Sequence, residues 1–204
     1  MFQLQREDGL ELIRDYVSKA NLSRIYGFIL YTEQHPYVVN VLRNDAFWAA
    51  LDSISGPNWP IFSVKPLAQG SYRFPSSGNG YSISFLVPRW VEPQSNLRFM
   101  KDFGLDSTED LPCFVAFIWD DNDKLQSISI PIKGTDESST YNSIEEIVRV
   151  ITKVENNINP EYKRNVEVFR NVSDELKTLD FKNTKLKSLG TITKRFAEFL
   201  SLFV

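Results

Sequence analysis

The chain has 204 residues, of which 42% are apolar and 13% aromatic, enough for one well-cored domain with an appendage. A net charge of −3 excludes general affinity for nucleic acid, and no apolar run of about 18 residues is present to span a membrane. The single cysteine, Cys113, excludes an intrachain disulfide and fits a reducing cytoplasm; with one histidine it cannot furnish a structural zinc site.

In chain order, residues 3–20 carry Leu10, Ile13, Val17 and Ala20 at helical spacing, which predicts an amphipathic helix. The polar, acidic residues at the start are not a signal peptide. The run from Tyr26 to Tyr31 is apolar without a break and reads as a central strand buried on both faces. Pro36 then opens a helix at a position where a missing N–H costs nothing. That helix is expected to turn Val39, Leu42, Ala46, Ala49 and Ala50 inward and to stop at Gly56-Pro57. Pro60 to Val64 is a short strand, parallel to the first because a crossover helix separates them.

Residues 66–97 predict an inserted hairpin around Gly78-Asn79-Gly80, then a proline-punctuated loop and a short helix near Asn96–Phe103. Cys113 to Trp119 is a second unbroken apolar run and a second central strand. After a polar turn, residues 125–132 alternate. Ile128, Ile130 and Ile132 point one way, Ser127, Ser129 and Pro131 the other, and Pro131 puts the strand at a sheet edge. Ile144, Ile147, Val148, Ile151 and Val154 form a helical stripe with Ser143 and Glu146 as a capping box. Asn156 to Pro160 breaks that helix and sets a boundary near residue 159. Two helices fill the net basic tail beyond it, the second bearing Leu189, Ile192, Phe196, Phe199 and Phe203 on one face.

Helix, strand, helix, strand, insertion, short helix, strand, strand, helix: over residues 20–158 this order resembles the thioredoxin-like fold. Leu111-Pro112 stands where that family keeps a cis-proline ahead of its third core strand. Gln34-His35-Pro36-Tyr37 stands where it carries Cys-x-x-Cys, and only Pro36 matches the common Cys-Gly-Pro-Cys form. The expected class is therefore α/β: a thioredoxin-like four-stranded mixed sheet flanked by helices, with strands 60–64 and 125–132 at the edges. The inserted β-hairpin (about 66–97) belongs to a domain of residues 1–159. A C-terminal helical extension, residues 160–204, packs on that domain or in a homodimer.

Thiol–disulfide exchange needs an attacking thiolate and a second thiol to resolve it. Gln34 and Tyr37 supply neither, and Cys113, at the start of a buried strand, reads as an inert core residue. His35 at a helix start is a candidate acid or base, with Glu33 to orient it and Tyr37 to assist, but no nucleophile is evident beside it. A glutathione-transferase-like role for Tyr31 or Thr32 would need a longer helical domain than 45 residues. Asp120, Asp121 and Asp123 lack the Gly and Glu of a calcium loop and read as a hairpin turn. Arg73, Arg89 and Arg98 interleaved with Tyr72, Tyr81 and Trp90 have the composition of a protein interface. The expectation is thus a non-catalytic, redox-inactive interaction module without cofactor, metal, membrane or nucleic acid. Its protein partner would meet His35, Pro36, Tyr37, Tyr72, Arg73, Tyr81, Trp90 and Pro112. The alternative is an enzyme centred on a His35 pocket.

Overall fold

Two unbroken apolar runs make the middle of the sheet, because only a strand covered on both faces can bury every side chain it carries. The structure is a computed structural model that describes residues 2–4, 10, 13–15, 25–56, 59–64, 94–157, 165–178 and 185–188. Its strands are β1 (Phe2–Leu4), β2 (Tyr26–Leu30), β3 (Ile61–Val64), β4 (Cys113–Trp119), β5 (Leu125–Pro131) and β6 (Lys185–Ser188). Its helices are α1 (Pro36–Arg43), α2 (Asp45–Ser55), α3 (Gln94–Asp102), α4 (Glu137–Asn156) and α5 (Asn165–Thr178). The sheet is open and mixed, in the order β1-β3-β2-β4-β5-β6. β3 runs parallel to β2, and β4 and β5 continue antiparallel on the other side.

Alternation along the strands divides the core in two. Ile29, Phe114, Ala116, Ile118, Ile128 and Ile130 face one layer, covered by α1, α2, α4 and α5. Phe28, Leu30, Phe62, Val64, Val115 and Phe117 face the other, where Phe99 and Met100 of α3 and Phe103 just beyond it pack with Ile13. Each such side chain contributes about 1.5–3 kcal/mol by leaving water. Phe117→Ala would cost about 3–5 kcal/mol, since its ring also meets Phe103 and Trp119. At Gly27 a side chain has no room: a Cβ there would lie 2.5 Å from the Phe114 ring and 2.8 Å from Trp59.

Several sequence expectations need correction. The single helix expected after Pro36 is two, broken at Asn44. That residue leaves helical geometry (φ −87°, ψ 108°), and its side chain accepts the Ala46 N–H at 3.0 Å. The break rotates α2 so that Phe47, Trp48 and Leu51 pack inward, while Ala46 and Ala49 are exposed. Residues 2–4 are a strand rather than the start of a helix, because Phe2 pairs with Phe62; helix appears at residues 10 and 13–15. β3 and β5 are not edges. β1 flanks the first, and β6 flanks the second through Gln126–Ser129, leaving Pro131 past the end of the pairing. Ser127 and Ser129 are accordingly buried.

The capping box of α4 sits seven residues earlier than expected. Asp136 accepts the Ser139 N–H at 2.8 Å, and the Ser139 hydroxyl accepts the Asp136 N–H at 3.2 Å. Ser143 instead accepts the Lys133 N–H at 2.9 Å. In the tail α5 is a helix as expected, and Val168, Phe169, Val172 and Leu176 join the same core as α4. Residues 185–188 form a strand where helix was expected. The predicted hairpin around 72–87, the residue-159 boundary and the apolar face from Leu189 to Phe203 lie outside the described residues.

Candidate functional site

β2 ends at Leu30, opposite Cys113, so the register places Tyr31 level with Pro112. The Leu111–Pro112 bond is cis, as expected from its place ahead of a central strand. Around that end of the sheet the polar groups of four elements meet. Tyr31 is buried, and its hydroxyl donates to the Val64 carbonyl at 2.8 Å. Its own carbonyl accepts Nδ2 of Asn96 from α3 at 2.5 Å. Asn96 is only 1% exposed, and its Oδ1 has no partner.

The chain then turns through Thr32–His35, with His35 N–H donating to the Thr32 carbonyl at 3.0 Å. Thr32, 2% exposed, clamps the histidine from two sides. Its backbone N–H donates to Nδ1 at 3.2 Å, and its hydroxyl lies 2.9 Å from the same nitrogen. The Gln34 N–H donates to that hydroxyl oxygen at 3.3 Å. Nδ1 is therefore an acceptor and the ring hydrogen sits on Nε2. Thr32 is the group that orients His35; the expectation that Glu33 does so is corrected. Glu33 is partly exposed, yet its Oε1 is buried without a partner.

His35 occupies the N-cap of α1 without a side-chain bond to the helix, and its carbonyl accepts the Val39 N–H at 3.1 Å. Pro36 and Tyr37 stand outward. Tyr37, 42% exposed, is the one large apolar side chain among the described residues that is classed as exposed. On the other side of Pro112, whose carbonyl accepts the Ile132 N–H, lies a cleft of about 380 Å³. It is lined by Glu109, Asp110, Pro112, Cys113, Ser129 and Pro131, among others, and His35 is not in its wall. Cys113 is a free thiol, 1% exposed. Burial first, and the nearby Asp110 charge second, push its pKa far up, away from the thiolate.

The structure thus brings His35, Pro36, Tyr37 and Pro112 to one end of the sheet. Tyr72, Arg73, Tyr81 and Trp90 lie outside the described residues. Asn96 was not legible as a site residue, because its role is set by a carbonyl 65 residues away. Among the described residues no group of three or more His, Cys, Asp or Glu side chains could hold a metal, and no helix is long and apolar enough to cross a membrane. As to chemistry, the Nδ1 of His35 is engaged by the Thr32 N–H and hydroxyl in this geometry. The Tyr31 hydroxyl is likewise committed, to a buried carbonyl. Compared with known proteins, the chain matches no family model, no curated protein and no solved structure.

Proposed function

We propose that this is a redox-inactive, thioredoxin-like module that works by binding a protein partner at the end of the sheet where β2 meets Pro112. The fold reading is supported by connectivity. A β2–helix–β3 crossover is followed by an antiparallel β4 beside β2, by β5 and by α4, which gives the inner order β3-β2-β4-β5. Pro112 stands across from the turn that would carry the redox pair, and Gln34 and Tyr37 hold the sulfur positions. The observation that carries the functional reading is the state of His35 and Cys113: the imidazole lone pair is engaged, and the thiol is shut inside the sheet. What the turn offers to solvent is Gln34, Pro36 and Tyr37, an aromatic contact surface on a short, braced loop. We assign Tyr72, Arg73, Tyr81 and Trp90 to the same partner on residue type alone, since such residues dominate interface energetics.

Two measurements test the reading. Purified protein is expected to leave insulin disulfides intact; reduction that disappears in Cys113→Ser would overturn the redox-inactive assignment. Partner capture from the native host is expected to fall at least tenfold in Tyr37→Ala and in Trp90→Ala, with melting temperature unchanged, an effect of about 1.4 kcal/mol or more. Capture that survives both substitutions while melting drops would make these aromatics structural cover.

A further inference from the structure

In the Nε2–H tautomer, the second proton of a histidine arrives at Nδ1. In this chain that nitrogen is already covered. It accepts the Thr32 N–H, and the Thr32 hydroxyl is beside it. The hydroxyl can rotate; the backbone N–H cannot turn away unless the loop moves. We propose that the Thr32–His35 turn is a proton-operated latch, closed while His35 is neutral and opened when it is protonated, so that acid releases the start of α1. The inference concerns the turn alone and stands whether or not a protein binds there.

Opening is required because Nδ1–H and the Thr32 N–H would face each other as two donors with no acceptor between them. Thr32 is buried, so a released N–H would have no water to meet inside the closed turn. The positive end of the α1 dipole acts in the same direction. The charged groups on surrounding elements act mostly the other way: Glu33 in the turn, Glu109 and Asp110 ahead of Pro112, and Glu137 of α4, whose carboxylate accepts from Asn40 of α1. Arg98, exposed on α3, opposes them. Attraction from partly exposed carboxylates is screened by water, whereas the donor conflict is at contact distance. Glu33 also gives the open state somewhere to go, since its buried Oε1 lacks a partner that an imidazolium would supply. The latch therefore stabilises the fold above the titration range of a free histidine, near about 6.5, and that contribution is lost as the pH falls through the folded-state midpoint.

The chain has one histidine, so its ring signals in the full-length protein need no assignment among rivals. Ring carbon and nitrogen signals and the Thr32 amide would be followed by NMR between about pH 8 and 5. The expected result is an Nε2–H ring at the upper end, a midpoint below about 6.5, and a Thr32 amide that shifts and loses exchange protection with that same midpoint. Glu33→Gln is expected to lower the midpoint further. His35→Asn keeps an acceptor where Nδ1 stood and removes the proton site; its Thr32 amide is expected to stay protected and flat over the whole range. A ring that titrates at or above 6.5 while the Thr32 amide stays still, or a Thr32 amide that keeps its pH dependence in His35→Asn, would overturn the latch.

Discussion

The turn at Asp120–Lys124 and the turn at Thr32–His35 close opposite ends of the central strands, and they gather backbone N–H groups with opposite chemistry. In the first, an ionised carboxylate does it: Asp120 Oδ1 accepts from Asn122 N–H and Lys124 N–H, both at 2.9 Å, and Oδ2 accepts Gln126 Nε2 at 3.0 Å. Partial desolvation pushes the Asp120 carboxyl up, but bonds from Lys124, Gln126 and Asn122 together hold it below the usual carboxylate range. Asp123 takes the left-handed conformation the reversal needs and pairs with Arg14. In the second turn the acceptor is a neutral imidazole, half-buried beside a buried threonine. Both side chains are partly exposed, so the turns differ in the charge of the acceptor and not in its access to water. A charged turn in water is complete in itself. The neutral one leaves Glu33 Oε1 and, on the neighbouring helix, Asn96 Oδ1 unpaired.

The largest effect that separates the two turns is expected at Asn96. Asn96→Ala removes a buried donor from the Tyr31 carbonyl and is expected to cost about 2–3 kcal/mol in urea unfolding. A loss below half of that would mean the carbonyl finds another donor and the second turn is less dependent on α3 than the geometry implies. On the sheet between the turns, Gly27→Ala forces the Phe114 and Trp59 rings apart and is expected to cost about 1–3 kcal/mol, read from the shift in urea midpoint. A neutral result there would show that the floor supporting both turns yields.

At the first turn, Asp120→Ala removes the acceptor of three bonds and is expected to cost about 1–2 kcal/mol, with Asp120→Asn losing less because one oxygen remains. Equal losses for the two variants would assign the effect to charge and not to the bonds. The smallest effect is a difference in pH window. Asp120 and the α4 cap Asp136, the latter held low first by the Ser139 N–H, have carboxyls depressed in the folded state. Their contribution is present above the ordinary value of about 3.9 and is lost as the pH falls through the folded one. Amide exchange at Lys124 is therefore expected to stay slow down to about pH 4 and Thr32 to open earlier, below about 6.5. Simultaneous opening of both amides would erase the distinction between the turns.

The two central strands, the Pro36 helix start, the short helix near residue 96, the polar turn at Asp120 and the inert setting of Cys113 were legible in the sequence. Unbroken apolar runs, proline and clustered Asp and Asn act through local physics: burial on two faces, a missing N–H, side chains that bond their own backbone. Partnership over distance was decided by the tertiary structure alone. β1 and β6 are strands because β3 and β5 offer them hydrogen-bonding edges, not because Phe2–Leu4 or Lys185–Ser188 has a strand pattern of its own. Asn44 splits a continuous helical periodicity by capping a new helix, and Asp136 outcompetes the later Ser143 as a cap because Ser143 is taken by Lys133. The same holds at the candidate site. His35 and Pro36 announced themselves as a helix start, but only the fold commits Nδ1 to Thr32 and brings Asn96 to Tyr31, since a side chain's hydrogen-bond partner depends on which backbone groups the sheet has left unpaired.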